Sequence, residues 1–203
     1  VSTTSREILL LLLFLSITIS SSSVSIDNEK SAYSATKYLI DCGHKDIVLM
    51  LGDENDIGIS HRREAGYLKA LSENNIPFNK EYRILGNYDY RGAYNETIKF
   101  LSKHKKVTAI FAISDIMAVG CAKAIKDSGL IVGKDISIIG FDGMDVSEFY
   151  NPTITTIIQP KVEMAKISVD LLLDLMANKT ENKHIILNTE LITRESTNSN
   201  IGK

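Results

Sequence analysis

Apolar residues along the chain recur with two alternating periods. Ala32, Ala35, Thr36, Leu39 and Ile40 are spaced by three and four and stop at Cys42 and Gly43, which predicts an amphipathic helix ended by glycine. The run Ile47–Leu51 is apolar throughout and reads as a strand. Ser60 stands in a capping position before a second helix, with Gly66, Tyr67, Leu68 and Leu71 on its inner side and Asn74, Asn75 and Pro77 ending it. The alternation continues with a strand at 82–85 and a helix at 91–103 that turns Tyr94, Ile98 and Leu101 inward. An apolar strand at 107–113 follows, then a helix opened by Asp115, with Ala118, Cys121, Ala122 and Ile125 on one face. Gly129 closes that helix and 136–140 supplies another apolar strand.

None of the long strands alternates between apolar and polar residues, so each is expected to be covered on both faces, as in a parallel sheet. The expected fold class is α/β, a doubly wound parallel sheet with right-handed crossovers and a ligand site outside the carboxyl ends of its strands. Beyond Pro152 the pattern changes. Residues 154–158 are extended, Pro160 occupies the first turn of a long helix whose Val162, Ala165, Val169, Leu172, Leu173 and Met176 are expected to face inward, and two short strands follow. That tail implies a second lobe, reached through residues 156–161.

The start of the chain fits less well. Residues 8–19 are almost wholly apolar and precede a serine cluster, but the run is too short to span a bilayer. Its favoured reading is the altered or truncated remnant of a larger domain; the other reading, from Arg6 and the small residues behind the run, is an export signal.

Composition narrows the function. With 23 basic against 25 acidic residues there is no global positive field to attract nucleic acid or an anionic membrane. Cys42 and Cys121 sit on the apolar sides of helical patterns without a partner at ligand spacing, and His44, His61, His104 and His184 form no metal-binding pair. Reduced buried thiols, no metal and a cytoplasmic setting are expected. Gly52 and Gly58, or Gly129 and Gly133, do not match a phosphate or dinucleotide fingerprint, so no cofactor is expected. The tract 103–106 (KHKK) ends a helix, where it complements the dipole.

Just past the strands stand Arg63 in the helix after 53–60, Tyr88 in Gly86-Asn87-Tyr88, Ser114 and Asp115, and Phe141 with Asp142. A guanidinium fork, an aromatic ring, a hydroxyl and carboxylates suit a small polyhydroxylated or heterocyclic ligand. No nucleophile and base are paired among them, which leaves an enzymatic reading without support. Each residue also has a plainer reading: Asp115 as an N-cap, Arg63 as a solvated helix arginine, Tyr88 as a loop aromatic over the core, and Asp142 as a stabiliser of its turn with Gly143.

The motifs Arg63-Glu-Ala-Gly66-Tyr67, Ser114-Asp115-Ile-Met-Ala118-Val-Gly120, Asp135-Ile-Ser137-Ile-Ile-Gly140-Phe-Asp142, Pro152-Thr-Ile-Thr155-Thr156-Ile-Ile-Gln159-Pro160 and Arg194-Glu195-Ser196-Thr197 together resemble the lac repressor (LacI/GalR) family from about Ser25 to Thr197. The resemblance implies a periplasmic-binding-protein-like type I fold, with one near-complete lobe and part of a second. Residues 29–157 and 189–197 would form the C-terminal effector lobe, 158–188 would return to the N-terminal lobe, and 1–28 would be a poorly matching remnant of that lobe. It also implies a sensor that binds an effector, a sugar or a purine, between lobes and changes how a dimer presents its DNA-binding domains to operator DNA. Arg63, Tyr88, Ser114 and Asp142 are the positions it marks as effector contacts. The family usually has Asn where Ser114 stands, which removes one expected hydrogen bond. No helix-turn-helix headpiece is recognisable, and weak effector binding by the chain alone is expected. The alternative from another class is an exported sugar-binding protein of a transport system.

Overall fold

The computed structural model describes residues 22–177 and 181–198; the reading of the apolar run at 8–19 lies outside them. The described chain falls into two compact units.

The larger unit, Ile26–Gln159 with the chain from Asn188 onward, holds a six-stranded sheet. Its strands are β2 (Ile47–Leu51), β3 (Arg83–Leu85), β4 (Ala109–Ala112), β5 (Ser137–Asp142), β6 (Thr155–Ile158) and β8 (Glu190–Ile192), in the order β3-β2-β4-β5-β6-β8. The first five are parallel, and β8 closes one edge antiparallel to β6. The apolar runs have the predicted consequence, since every residue of β2 and β4 is buried, while the two edge strands β3 and β8 are partly open. Residues 154–158, read from sequence only as an extended segment, contribute the strand that pairs with β5.

The connecting helices are α1 (Asn28–Asp41), α2 (Ile59–Glu73), α3 (Tyr90–Lys103), α4 (Asp115–Asp127) and the short α5 (Asp145–Phe149). α1 packs on α2 and α3 on α4. The chain moves from β2 outward to β3, then reverses to β4, so right-handed crossovers put the two helix pairs on opposite faces. The α1–α2 contact is backbone-close: a Cβ on Gly66 would lie 2.1 Å from the Glu29 carbonyl oxygen.

Several local expectations need correction. Ser60 does not cap α2. The carboxylate of Asp56 does, accepting from the amides of Gly58 at 2.9 Å, Ile59 at 3.1 Å and Ser60 at 3.0 Å. Asp115 is not the cap of α4; Ser114 is, through a 3.3 Å bond from the Met117 amide. The buried side of α3 is Ala93, Thr97, Phe100 and Leu101, while Tyr94 turns outward to donate to Asp127. Lys105 caps the end of α3, its Nζ donating to the Leu101 carbonyl.

The smaller unit contains β1 (Ser23–Ile26, through Ser25), α6 (Lys161–Met176) and β7 (His184–Leu187), with β1 and β7 forming a two-stranded sheet. Here the pattern misleads. Val162 is 86% exposed and Met176 74%, Val169, Leu172 and Leu173 are also open, and Leu171 is the buried residue of the helix. Among the described residues, no helix is long and apolar enough to cross a membrane.

Candidate ligand-binding site

The direction of chain progression reverses between β2 and β4, and the carboxyl ends of these neighbouring strands are the region where a doubly wound sheet places its ligand. Arg63, in the first turns of α2, enters that region. Its side chain is 4% exposed, and every polar atom except Nη2 meets an acceptor among the described residues. Nε donates to Asn28 Oδ1 at 2.9 Å, and Nη1 donates to the Ile113 carbonyl just past β4 and to Asp142 Oδ1 at 3.4 Å. The guanidinium plane lies 3.5 Å from the centroid of the buried Phe141 ring. Burial lowers the pKa of this guanidinium, and the Asp142 carboxylate opposes that; an arginine stays charged through such a change. The solvated-helix reading belongs to Arg62, which is exposed, and not to Arg63.

Asp142 ends β5 with φ of +107°, followed by Gly143 at +63°. That left-handed path keeps its carboxylate over the strand ends, where Gln159 Nε2, one residue past β6, donates to Oδ1 at 2.7 Å. One carboxylate oxygen is therefore shared by Arg63 and Gln159.

Tyr88 and Ser114 are placed differently. Tyr88 and the preceding Asn87 have φ of +53° and +54°, and the Tyr88 ring packs over Gly52 at the end of β2. Its hydroxyl donates to Asp56 Oδ2 at 2.5 Å and lies 2.9 Å from Ser60 Oγ. Burial, with the Asp56 bond, pushes the Tyr88 phenol up to about 12, and the same bond with those from Ser60 and Gly58 holds Asp56 below the usual carboxylate range. The phenol thus works as a latch between two loops, and Tyr88 as a whole remains 38% exposed. Ser114 is 6% exposed and its oxygen is used in capping α4.

The structure thus brings Arg63 and Asp142 into direct contact and surrounds them with Asn28, Phe141 and Gln159. Sequence reasoning set Phe141 on the rim beside Asp142 but gave Asn28 and Gln159 no place there. For Gln159 the signal existed: it follows a strand, like the other rim residues, but its strand was not counted with the layer. Asn28 opens a helix and carries no periodic signature. No group of three or more potential metal ligands occurs among the described residues. The set instead suits hydroxyl recognition, since a carboxylate and a guanidinium fork accept from and donate to adjacent oxygens with charge-assisted bonds.

The family described as periplasmic binding protein-like domain matches residues 36–197. The HTH-type transcriptional regulator MalR of Clostridium butyricum is 55% identical over 173 residues, which is 85% of this chain and 51% of that protein. The HTH-type transcriptional repressor PurR of Pasteurella multocida is 37% identical over 173 residues, 85% of this chain and 52% of its own. The chain thus spans about half the length of these curated relatives. A transcriptional regulator CelR–cellobiose complex superposes with a TM-score of 0.81 at 30% identity, over 86% of this chain and 54% of that one. With the fold, the extent of the match and these relatives taken together, the chain belongs to the periplasmic binding protein-like domain family, in its lac-repressor-type (LacI/GalR) branch.

Proposed function

We propose that this chain is the effector-sensing part of a transcription regulator and that its effector is a sugar, contacted by Arg63, Asp142 and Gln159. One observation carries the reading: a buried guanidinium stacked on Phe141 and fixed to Ile113, Asn28 and Asp142 at the strand ends where a doubly wound sheet binds ligands. Such an arrangement costs little ordering when a ligand arrives, because the fork is already held. Nη2 of Arg63 and the amide of Gln159, on side chains both held by the Asp142 carboxylate, are the groups offered to hydroxyls. The partly exposed Tyr88 supplies the apolar side of the pocket, and the Ser114 position lies beside it. The cellobiose held by CelR supports a sugar over a purine.

The regulator reading is favoured over an exported transport protein because the relatives are HTH-type regulators. In the full protein, residues 29–157 with 189–197 would form one lobe and 158–188 would belong to the other. Effector would shift the population between lobe arrangements and so change operator binding by a homodimer through a helix-turn-helix domain, in the cytoplasm and without catalysis. A sugar gripped from one lobe only makes part of its contacts, so millimolar affinity is expected for this chain alone.

Chemical-shift mapping of the isotope-labelled chain with millimolar maltose, cellobiose or hypoxanthine tests this. Shifts confined to residues near Arg63, Asp142 and Gln159 with a sugar, abolished by Arg63→Ala, are expected. Shifts with hypoxanthine alone would move the effector to the purines, and shifts elsewhere on the surface would remove the site.

A further inference from the structure

Asp115 is the first residue of α4, and none of its surface reaches solvent. It does not contribute the cap, which Ser114 provides. Its carboxylate instead reaches two other segments. Oδ2 accepts from the Met144 amide at 2.6 Å and Oδ1 from the Thr156 hydroxyl at 2.6 Å. Room for it comes from Gly140, where a Cβ would lie 2.2 Å from Oδ1.

Both segments lead to the pocket. Met144 is two residues past Asp142, across a turn in which Asp142 and Gly143 both have positive φ. A non-glycine residue in that region is costly and persists only where its surroundings hold it. Thr156 lies on β6, three residues before Gln159. We propose that Asp115 is the positioning residue of the pocket: its carboxylate fixes the Met144 amide and the Thr156 hydroxyl, and through them the Asp142 carboxylate and Gln159 amide that meet Arg63. The consequence for ligand rests on the effector-site reading above, whereas the consequence for the turn does not.

The charge of this carboxylate is set by the same neighbours. Burial pushes its pKa up to about 6, the bonds from Thr156 and Met144 oppose the rise, Asp142 on β5 adds to it, and Arg194, beyond β8, lowers it. Gly140, against which the carboxylate lies, brings no charge. A neutral acid donates to Thr156 and still accepts from Met144, but with uncharged and weaker bonds. Asp115→Asn reproduces that neutral state.

The test follows backbone amides of the labelled chain between pH 8 and 5, first without ligand and then with maltose. Without ligand, the Met144 amide is expected to titrate with a midpoint near 6. It should be flat in Asp115→Asn, persist with a lowered midpoint in Asp142→Asn, and show a raised midpoint in Thr156→Val, which removes one donor to the charged form. With maltose, affinity is expected to fall several-fold from pH 8 to 5 in the wild type. It should stay at the lower value throughout in Asp115→Asn, and fall further in Asp115→Ala with circular dichroism unchanged. A Met144 titration that survives Asp115→Asn overturns the proposal, as does an Asp115→Ala chain whose Asp142 and Gly143 amides are unmoved. Absence of any maltose effect in the wild type would instead count against the sugar site, with the ligand-free titration still deciding the role of Asp115.

Discussion

A single carboxylate, Asp56, holds both the first turn of α2 and the Tyr88 loop, so its loss should be felt in two places. Asp56→Ala is expected to cost about 1 kcal/mol in urea unfolding, the usual size of a lost N-cap. The Tyr88 loop, with two consecutive residues at positive φ, should exchange its amides faster. The pH dependence has a definite sign. Hydrogen bonds depress the pKa of Asp56 in the fold, so its contribution is complete above the ordinary carboxylate pKa of about 4 and is lost as pH falls below that. The deficit of the alanine variant should therefore shrink from pH 7 to pH 3. At this scale the sequence was informative where a residue acts alone and silent where it acts through partners. That Arg63 and Asp142 lie together was legible because strand ends in such a layer converge. Tyr88 and Ser114 converge there too, yet their oxygens are already engaged, by Asp56 and Ser60 and by the α4 amides, and no spacing rule reveals a competing partner.

At the scale of elements, the parallel strands were legible because burial on both faces leaves nothing polar in β2 or β4. The antiparallel edge strand β8 is short and half-open and carries no comparable signal. Helix α6 was misread for a physical reason: spacing identifies an apolar face but not whether anything covers it. The α1–α2 pair is the converse case, since its close approach depends on Gly66, which spacing records merely as part of an inner face. A methyl group there meets the Glu29 carbonyl oxygen at 2.1 Å and the Tyr33 nitrogen at 2.7 Å, both backbone atoms that cannot swing away. Gly66→Ala should cost about 3 kcal/mol in chemical denaturation, as overpacking between rigid elements does, despite the better helix propensity of alanine. A stabilised variant would show that α1 and α2 are further apart in solution.

Across the molecule, the apolar core is unevenly shared. The larger unit buries Leu49, Ile110, Phe111, Ile138, Ile139 and Phe141 completely, while the described part of the smaller unit buries Leu171 of α6 and leaves Val162, Val169, Leu172, Leu173 and Met176 open. Local stability follows buried apolar contact, so the amides of β4 and β5 should exchange only on global unfolding and those of α6 at least about 100-fold faster. The same contrast appears in substitutions. Burying a leucine side chain is worth roughly 2 to 3 kcal/mol, and exposing it is worth almost nothing. Leu172→Gln should therefore change the unfolding free energy by less than about 0.5 kcal/mol and lower the binding of a hydrophobic dye, whereas Ile139→Ala should cost about 3 kcal/mol. If Leu172→Gln were as damaging as Ile139→Ala, the open face of α6 would have to be covered in solution, and the exposure seen for Leu172 and its neighbours would not describe the chain on its own.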